Sequence, residues 1–336
     1  MKRLVNYGAL CLITLYSSST LAAVTPNVFT CAEFKSAIET GQSIYLGNDI
    51  DCQGGEINVQ KSDQFNWYDN IESPVVDGNG HTVSNVTYVT RTGLANGNGI
   101  TRDINFDGIY FKNPVLPFNY NPIVASTLSS SGGYISNVSI KNIDSNEPLT
   151  GLFDKVTGAI NGLTVDLGDN VLVTYGGVLA SRLDGYISNL SVANGELSLT
   201  GGTRGMLSWQ SMSGSYTNIS VVGLKVTGSY SSLGLIADYL GDIFVDGLTY
   251  KNIEIDNPAA NVSLVVTSDH YKEFRVINFQ HDFWSEGAKP LYPEVLYTSK
   301  APAYYVEAHP TGTPTPIPQE CSPYLKQDFY WVPQVQ

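Results

Sequence analysis

Charge is scarce in this chain. Only 15% of its 336 residues are Asp, Glu, Lys or Arg, and 18 basic residues face 31 acidic ones, a formal net charge of −13. A chain so short of cations does not hold nucleic acid or anionic lipid by bulk charge, and it repels a polyanionic sugar unless local cations or a bound metal intervene. Long apolar runs are missing too. Nothing beyond the first residues approaches the eighteen or so apolar positions of a membrane helix, so no membrane span is expected. With 42% hydrophobic residues there is still ample mass for a packed core, which excludes disorder, and no composition of the collagen kind is present.

The one apolar run sits at the start. Lys2 and Arg3 precede Ala9 to Tyr16, then polar Ser17 to Thr20, then Leu21-Ala22-Ala23. This is the pattern of a bacterial secretory signal peptide over residues 1–23, and its removal takes the net charge from −13 to −15. Cys11 leaves with it and is not in a lipobox, so Cys31, Cys52 and Cys321 remain. In an oxidising compartment one pair is expected, and nearness in sequence favours Cys31–Cys52 over a pairing of either with Cys321. The odd thiol is then a buried free cysteine or the source of an intermolecular disulfide, which would give a dimer through Cys321.

What the chain has in abundance is a repeat. An apolar-x-apolar unit recurs as Val86-Thr87-Tyr88, Ile109-Tyr110-Phe111, Val138-Ser139-Ile140, Leu163-Thr164-Val165, Leu190-Ser191-Val192, Ile219-Ser220-Val221, Leu248-Thr249-Tyr250 and Ile277-Asn278-Phe279, with a mean period of about 27 residues. Each unit reads as a strand with two apolar positions facing one interior. A second strand precedes several of them, as in Gly151-Leu152-Phe153, Gly177-Val178-Leu179, Gly205-Met206-Leu207 and Gly234-Leu235-Ile236. A third is visible as Leu197-Ser198-Leu199, Leu224-Lys225-Val226 and Ile253-Glu254-Ile255. Gly and Asn punctuate the corners, where they tolerate a left-handed backbone at low cost. Three strands and three corners per period, with no helical pattern between, predict an all-β, right-handed parallel β-helix of about eight or more coils. A propeller blade of four antiparallel strands needs about 40 residues and does not fit.

The ends of such a stack need covering against edge-to-edge pairing. Thr30-Cys31-Ala32-Glu33 reads as a capping box, Phe29 and Phe34 as its hydrophobic staple, Phe34, Ala37 and Ile38 as one apolar face, and Gly41 as the stop of an N-terminal capping helix. The expected organisation is a signal peptide over 1–23, an N-terminal cap over 24–41, the β-helix over 42–300 and a Pro-rich, aromatic C-terminal tail over 301–336.

The segments IYLGNDIDC (Ile44 to Cys52), VDGNGHTVSN (Val76 to Asn85), GLFDKVTGAINGLTV and GVLASRLDGYISNLSV resemble secreted right-handed β-helix proteins of the pectin-lyase-like superfamily, in particular those with GLUG-type repeats, over residues 28 to about 285. GLUG-type repeats occur in bacterial surface proteins and adhesins, whereas the wider superfamily includes polysaccharide lyases, glycoside hydrolases and phage tailspikes. The resemblance therefore implies a fold without choosing an activity.

The clustered aspartates and Gly-His-Gly of polygalacturonase-like members are absent. His81 stands in Gly80-His81-Thr82, which reads as a structural turn, and Asp103, Asp107, Asp166, Asp242 and Asp246 read as isolated corner residues rather than the facing pair that hydrolysis requires. Lyase chemistry needs a cation for a uronate carboxylate and a base for the adjacent proton. A stripe along the second strand carries both: Asp154-Lys155, Ser181-Arg182, Trp209-Gln210, Asp238-Tyr239 and Asp269-His270 fall on successive coils. On it His270, Arg182 and Asp238 are the catalytic candidates, with Tyr239 an alternative base, and Lys155, Trp209, Gln210, Tyr239 and Asp269 the ligand-binding ones. The bland reading is the solvent side of a corner. His270 and His281 lie on opposite sides of a strand unit and no Asp-rich loop is present, so neither zinc nor calcium is expected, and no cofactor. The outward column Thr87, Tyr110, Ser139, Thr164, Ser191, Ser220 and Thr249 reads as ladder bonding between coils rather than an ice-binding lattice. The sequons at Asn85, Asn137, Asn189, Asn218 and Asn261 follow from the repeat.

These readings lead to the expectation of a secreted protein, extracellular or periplasmic, that binds an extracellular polysaccharide or cell-surface glycan as an adhesin or matrix protein does; the alternative is a polysaccharide lyase or hydrolase using the stripe. Because only residues 30–40 carry a helical signature, circular dichroism of the mature chain should show dominant β-structure with little helix. Substantial helix would refute the fold.

Overall fold

The computed structural model describes residues 24–40, 42–59, 75–90, 96–97, 100–112, 127–128, 133–145, 148–149, 151–156, 158–257, 261–267 and 274–281. The signal-peptide reading, Gly41, Asp269, His270, His309, Cys321 and the Pro-rich tail lie outside them.

The chain is a parallel β-solenoid. On its first face Ile50–Val59, Thr82–Thr90, Ile100–Lys112, Tyr134–Ser145, Ala159–Asp166, Tyr186–Ala193, Ser208–Val222, Ser232–Lys251 and Phe274–His281 pair in succession, all parallel. A second face carries Phe153–Val156, Ala180–Leu183 and the leading parts of the two long strands, followed by Asn261–Thr267. The third is a separate four-stranded sheet of Val171–Thr174, Glu196–Thr200, Lys225–Ser229 and Glu254–Ile255. Coils with all three faces described number about five, fewer than the expected eight or more, because towards either end one or two faces fall outside the described residues.

The alternation that predicts the strands also builds the core. Val138, Leu163, Leu190, Ile219 and Leu248 form one buried column, and Ile140, Val165, Val192, Val221 and Tyr250 the next. Each such side chain contributes about 1.5–3 kcal/mol by burial. Three register expectations are corrected. Val138 and Ile140 pair with Ile104 and Phe106, not with Ile109 and Phe111, and Ile109 and Val86 lie one corner further on. Both Ile104-Asn105-Phe106 and Ile109-Tyr110-Phe111 satisfy the same apolar alternation, so pattern alone is degenerate there. Phe279, not Ile277, pairs with Leu248, and Leu197 pairs with Val226 rather than Leu224. These last two slips are of two residues, which leaves the apolar alternation of the pattern unchanged.

Corner residues set the register. Asn137, Gly162, Asn189, Asn218, Gly247 and Asn278 fall at one corner, all with positive φ. The Asn side chains there reach back to the preceding coil: Nδ2 of Asn137 donates to Asp103 at 3.0 Å, Asn189 to Asn161 at 2.8 Å, Asn218 to Asn189 at 3.2 Å and Asn278 to Asp246 at 2.7 Å. Asn85 to Asp51, Asn142 to Asp107 and Asn194 to Asp166 form the same bond at the next corner. Asp103, Asp107, Asp166 and Asp246 are corner residues as expected, and each accepts the next coil's amide. Four of the five sequon asparagines spend their amide in this ladder.

The N-terminal helix, Cys31–Thr40, begins as the capping box predicts. Thr30 Oγ1 accepts from Glu33 N at 3.2 Å, while Glu33 Oε2 accepts from Thr30 N at 3.0 Å and Phe29 N at 2.8 Å. The Phe29 amide and the Thr30 bonds hold the Glu33 carboxyl below its usual range. Phe34, Ala37 and Ile38 are buried against the first coil, and the Cys31–Cys52 disulfide ties helix to strand, with Cα atoms 5.2 Å apart. Phe29 lies over Gly47 and stays 48% exposed.

A corner glycine makes the ladder testable. Gly162 has φ +77°, and a Cβ there would stand 3.1 Å from Asn137 Oδ1, whereas a Cβ at Gly202 meets nothing within 4 Å. Gly162→Ala should cost about 1–2 kcal/mol in urea unfolding, the price of a left-handed L-residue. Gly202→Ala should stay within about 0.5 kcal/mol.

Candidate functional site

The second face brings the predicted stripe together in part. Lys155, Arg182, Gln210, Tyr239 and Thr267 occupy successive positions along it, Thr267 standing where the stripe reading had the Asp269-His270 pair. At about 4.8 Å per coil they span roughly 19 Å along the rod. Arg182 is committed within its own strand end: its Nε donates to Oδ2 of Asp184, which is almost fully buried.

Around Trp209 the arrangement becomes specific. Trp209 and Asp238 fall side by side on neighbouring coils, between the pairs Ser208–Ala237 and Gln210–Tyr239. Trp209 Nε1 donates to Asp238 Oδ2 at 3.0 Å, and Thr203 Oγ1 donates to the same oxygen at 2.8 Å. The carboxylate is 6% exposed, yet the indole that bonds it stays 42% exposed, so a broad aromatic surface is held at the rod's side by a buried anchor. The other oxygen, Asp238 Oδ1, is buried with no hydrogen-bond partner among the described residues. Leaving such an acceptor unsatisfied costs about 1–3 kcal/mol.

Arg204 completes the patch. Its Nε donates to Thr200 O at 2.5 Å and its Nη1 to Thr203 O at 2.7 Å, so the guanidinium braces the turn between third and second faces. Partial burial lowers its pKa from the usual value, while the Asp238 carboxylate, within electrostatic range, opposes that shift. Tyr175 directly follows the third-face strand Val171–Thr174 one coil earlier and is 47% exposed. Tyr175, Thr203 and Arg204 were missed in the sequence because they lie outside the apolar-x-apolar units, Tyr175 just past a strand and Thr203-Arg204 in the short strand Thr203–Gly205; the signal was there in the two adjacent glycines, Gly201 and Gly202, ahead of Thr203-Arg204.

His81 is elsewhere. Its Nδ1 lies 3.2 Å from Asp49 Oδ1, which also accepts from Thr82 N at 2.9 Å, so the ring ties two coils together as a structural turn. The Thr82 amide first, and then His81, hold the Asp49 carboxyl below its ordinary pKa. Among the described residues no group of three His, Cys, Asp or Glu could hold a metal, and no helix is long and apolar enough to cross a membrane.

Fold and patch define a parallel β-solenoid with an anchored aromatic surface on one lateral face. Compared with known proteins, the chain matches no family model, no curated protein and no solved structure.

The anchor has a measurable weight. Trp209→Phe keeps the ring area but removes the indole donor, and should lower unfolding stability by about 1.5–3 kcal/mol, the range for hydrogen bonds to charged groups. A change below about 0.5 kcal/mol in urea unfolding would mean that the Nε1–Asp238 bond contributes nothing.

Proposed function

We propose that this is a secreted β-helix protein whose second face binds an extracellular carbohydrate, in the manner of an adhesin or matrix protein. The observation that carries the reading is Trp209, an indole 42% exposed yet fixed at its nitrogen by a buried carboxylate. A sugar's apolar face stacks on an exposed aromatic ring of this kind while its hydroxyls seek nearby polar groups. Gln210, partly exposed beside it, and Tyr175 extend the surface. The resemblance to pectin-lyase-like proteins with GLUG-type repeats, and the leader-like residues 1–23, support an extracellular setting. Stacked coils also suit a long polymer, since equivalent positions recur along the rod axis at a regular interval.

The test is a panel of polysaccharides screened for binding and for unsaturated products absorbing in the ultraviolet. Binding without turnover, weakened about tenfold in Trp209→Ala, is the expected result. Product release abolished by Arg182→Ala or His270→Ala would replace binding with the lyase alternative, and binding unaffected by Trp209→Ala would remove the second face from consideration.

A further inference from the structure

We infer that the glycan taken by the Trp209 patch is uncharged, an inference that rests on the carbohydrate reading above. A uronate or sulfate polymer needs a cation whose charge is not already balanced, and each described arginine of this face is paired with a carboxylate or braced against carbonyls. Arg182 is bound to Asp184, and Arg204 gives Nε and Nη1 to the carbonyls of Thr200 and Thr203. Asp238 stands directly under the aromatic surface and repels an anion, while Arg204 within electrostatic range balances its charge, so the patch presents no net sign. The unsatisfied group is an acceptor: Asp238 Oδ1 is buried and without a partner among the described residues, next to an oxygen that already takes two bonds. An acceptor in this place disfavours an anionic ligand and leaves the open face of the fixed ring to an uncharged one. The chain's overall charge of −13 acts in the same direction at long range.

Affinity electrophoresis of the full chain through gels containing a neutral glucan, a neutral galactomannan, polygalacturonate or chitosan, at low and at physiological salt, tests this. Retardation by a neutral polymer, equal at both salts, is expected, since uncharged contacts are not screened. Trp209→Ala should weaken it about tenfold, and Trp209→Phe, which keeps a ring, less than that. Arg182→Gln should leave it unchanged. Retardation confined to polygalacturonate, lost at higher salt and in Arg182→Gln, would overturn the inference while leaving carbohydrate binding intact; so would retardation confined to chitosan and lost in Asp238→Asn. No retardation in any gel would defeat the carbohydrate reading itself.

Discussion

Everything in this structure depends on one constraint: each coil must meet the next in register, because its backbone N–H and C=O groups have no other partners. Parallel pairing supplies those bonds, but only if the chain turns the same corners on every circuit. The left-handed Asn and Gly residues make the turns, and the amide of each corner Asn, bonded to an Asp or Asn of the coil before, keeps the circuits aligned. The buried columns then follow, since alternating side chains point inward together once the corners coincide.

The same constraint creates the candidate site. A residue in one coil acquires neighbours some 29 residues away, so Trp209 meets Asp238 without any local motif to announce the pair. Stacking supplies aligned positions, and what differs from coil to coil supplies chemistry. At equivalent places the chain carries Lys155, Arg182, Gln210 and Tyr239, a sequence of unlike groups on a regular frame. Next to Tyr239 in the chain is the carboxylate that fixes the indole. Rigidity of the frame lets an exposed ring be held in one orientation, which reduces the entropy lost when a ligand stacks on it.

The solenoid, the capping box and the Cys31–Cys52 bridge were legible because each rests on a short-range rule: alternation, a three-residue capping spacing, and nearness in sequence. Register at Ile104-Asn105-Phe106 was not, since an identical pattern recurs five residues later and only the corner ladder distinguishes them. The stripe was legible as a set of positions but not as a set of bonds. Nothing in Ser181-Arg182 reveals that the guanidinium is bound to Asp184, and nothing in Asp238-Tyr239 reveals that a carboxylate placed on the outward side of its strand is nevertheless buried under Trp209 and Thr203. Residues at or near the strand ends, such as Tyr175 and Arg204, fall outside the apolar-x-apolar units, yet they are where this face departs from pure repetition.

The central claim is that Trp209 is an exposed ring held by a buried anchor. The indole N–H resonance of Trp209, assigned with Trp209→Phe in a nitrogen-15 correlation spectrum, tests it most directly. The account predicts a single sharp signal shifted downfield by its bond to the carboxylate and slow to exchange with water, although the ring itself is open to solvent. An indole signal at the position of free tryptophan, exchanging as fast as an unbonded side chain, would contradict it.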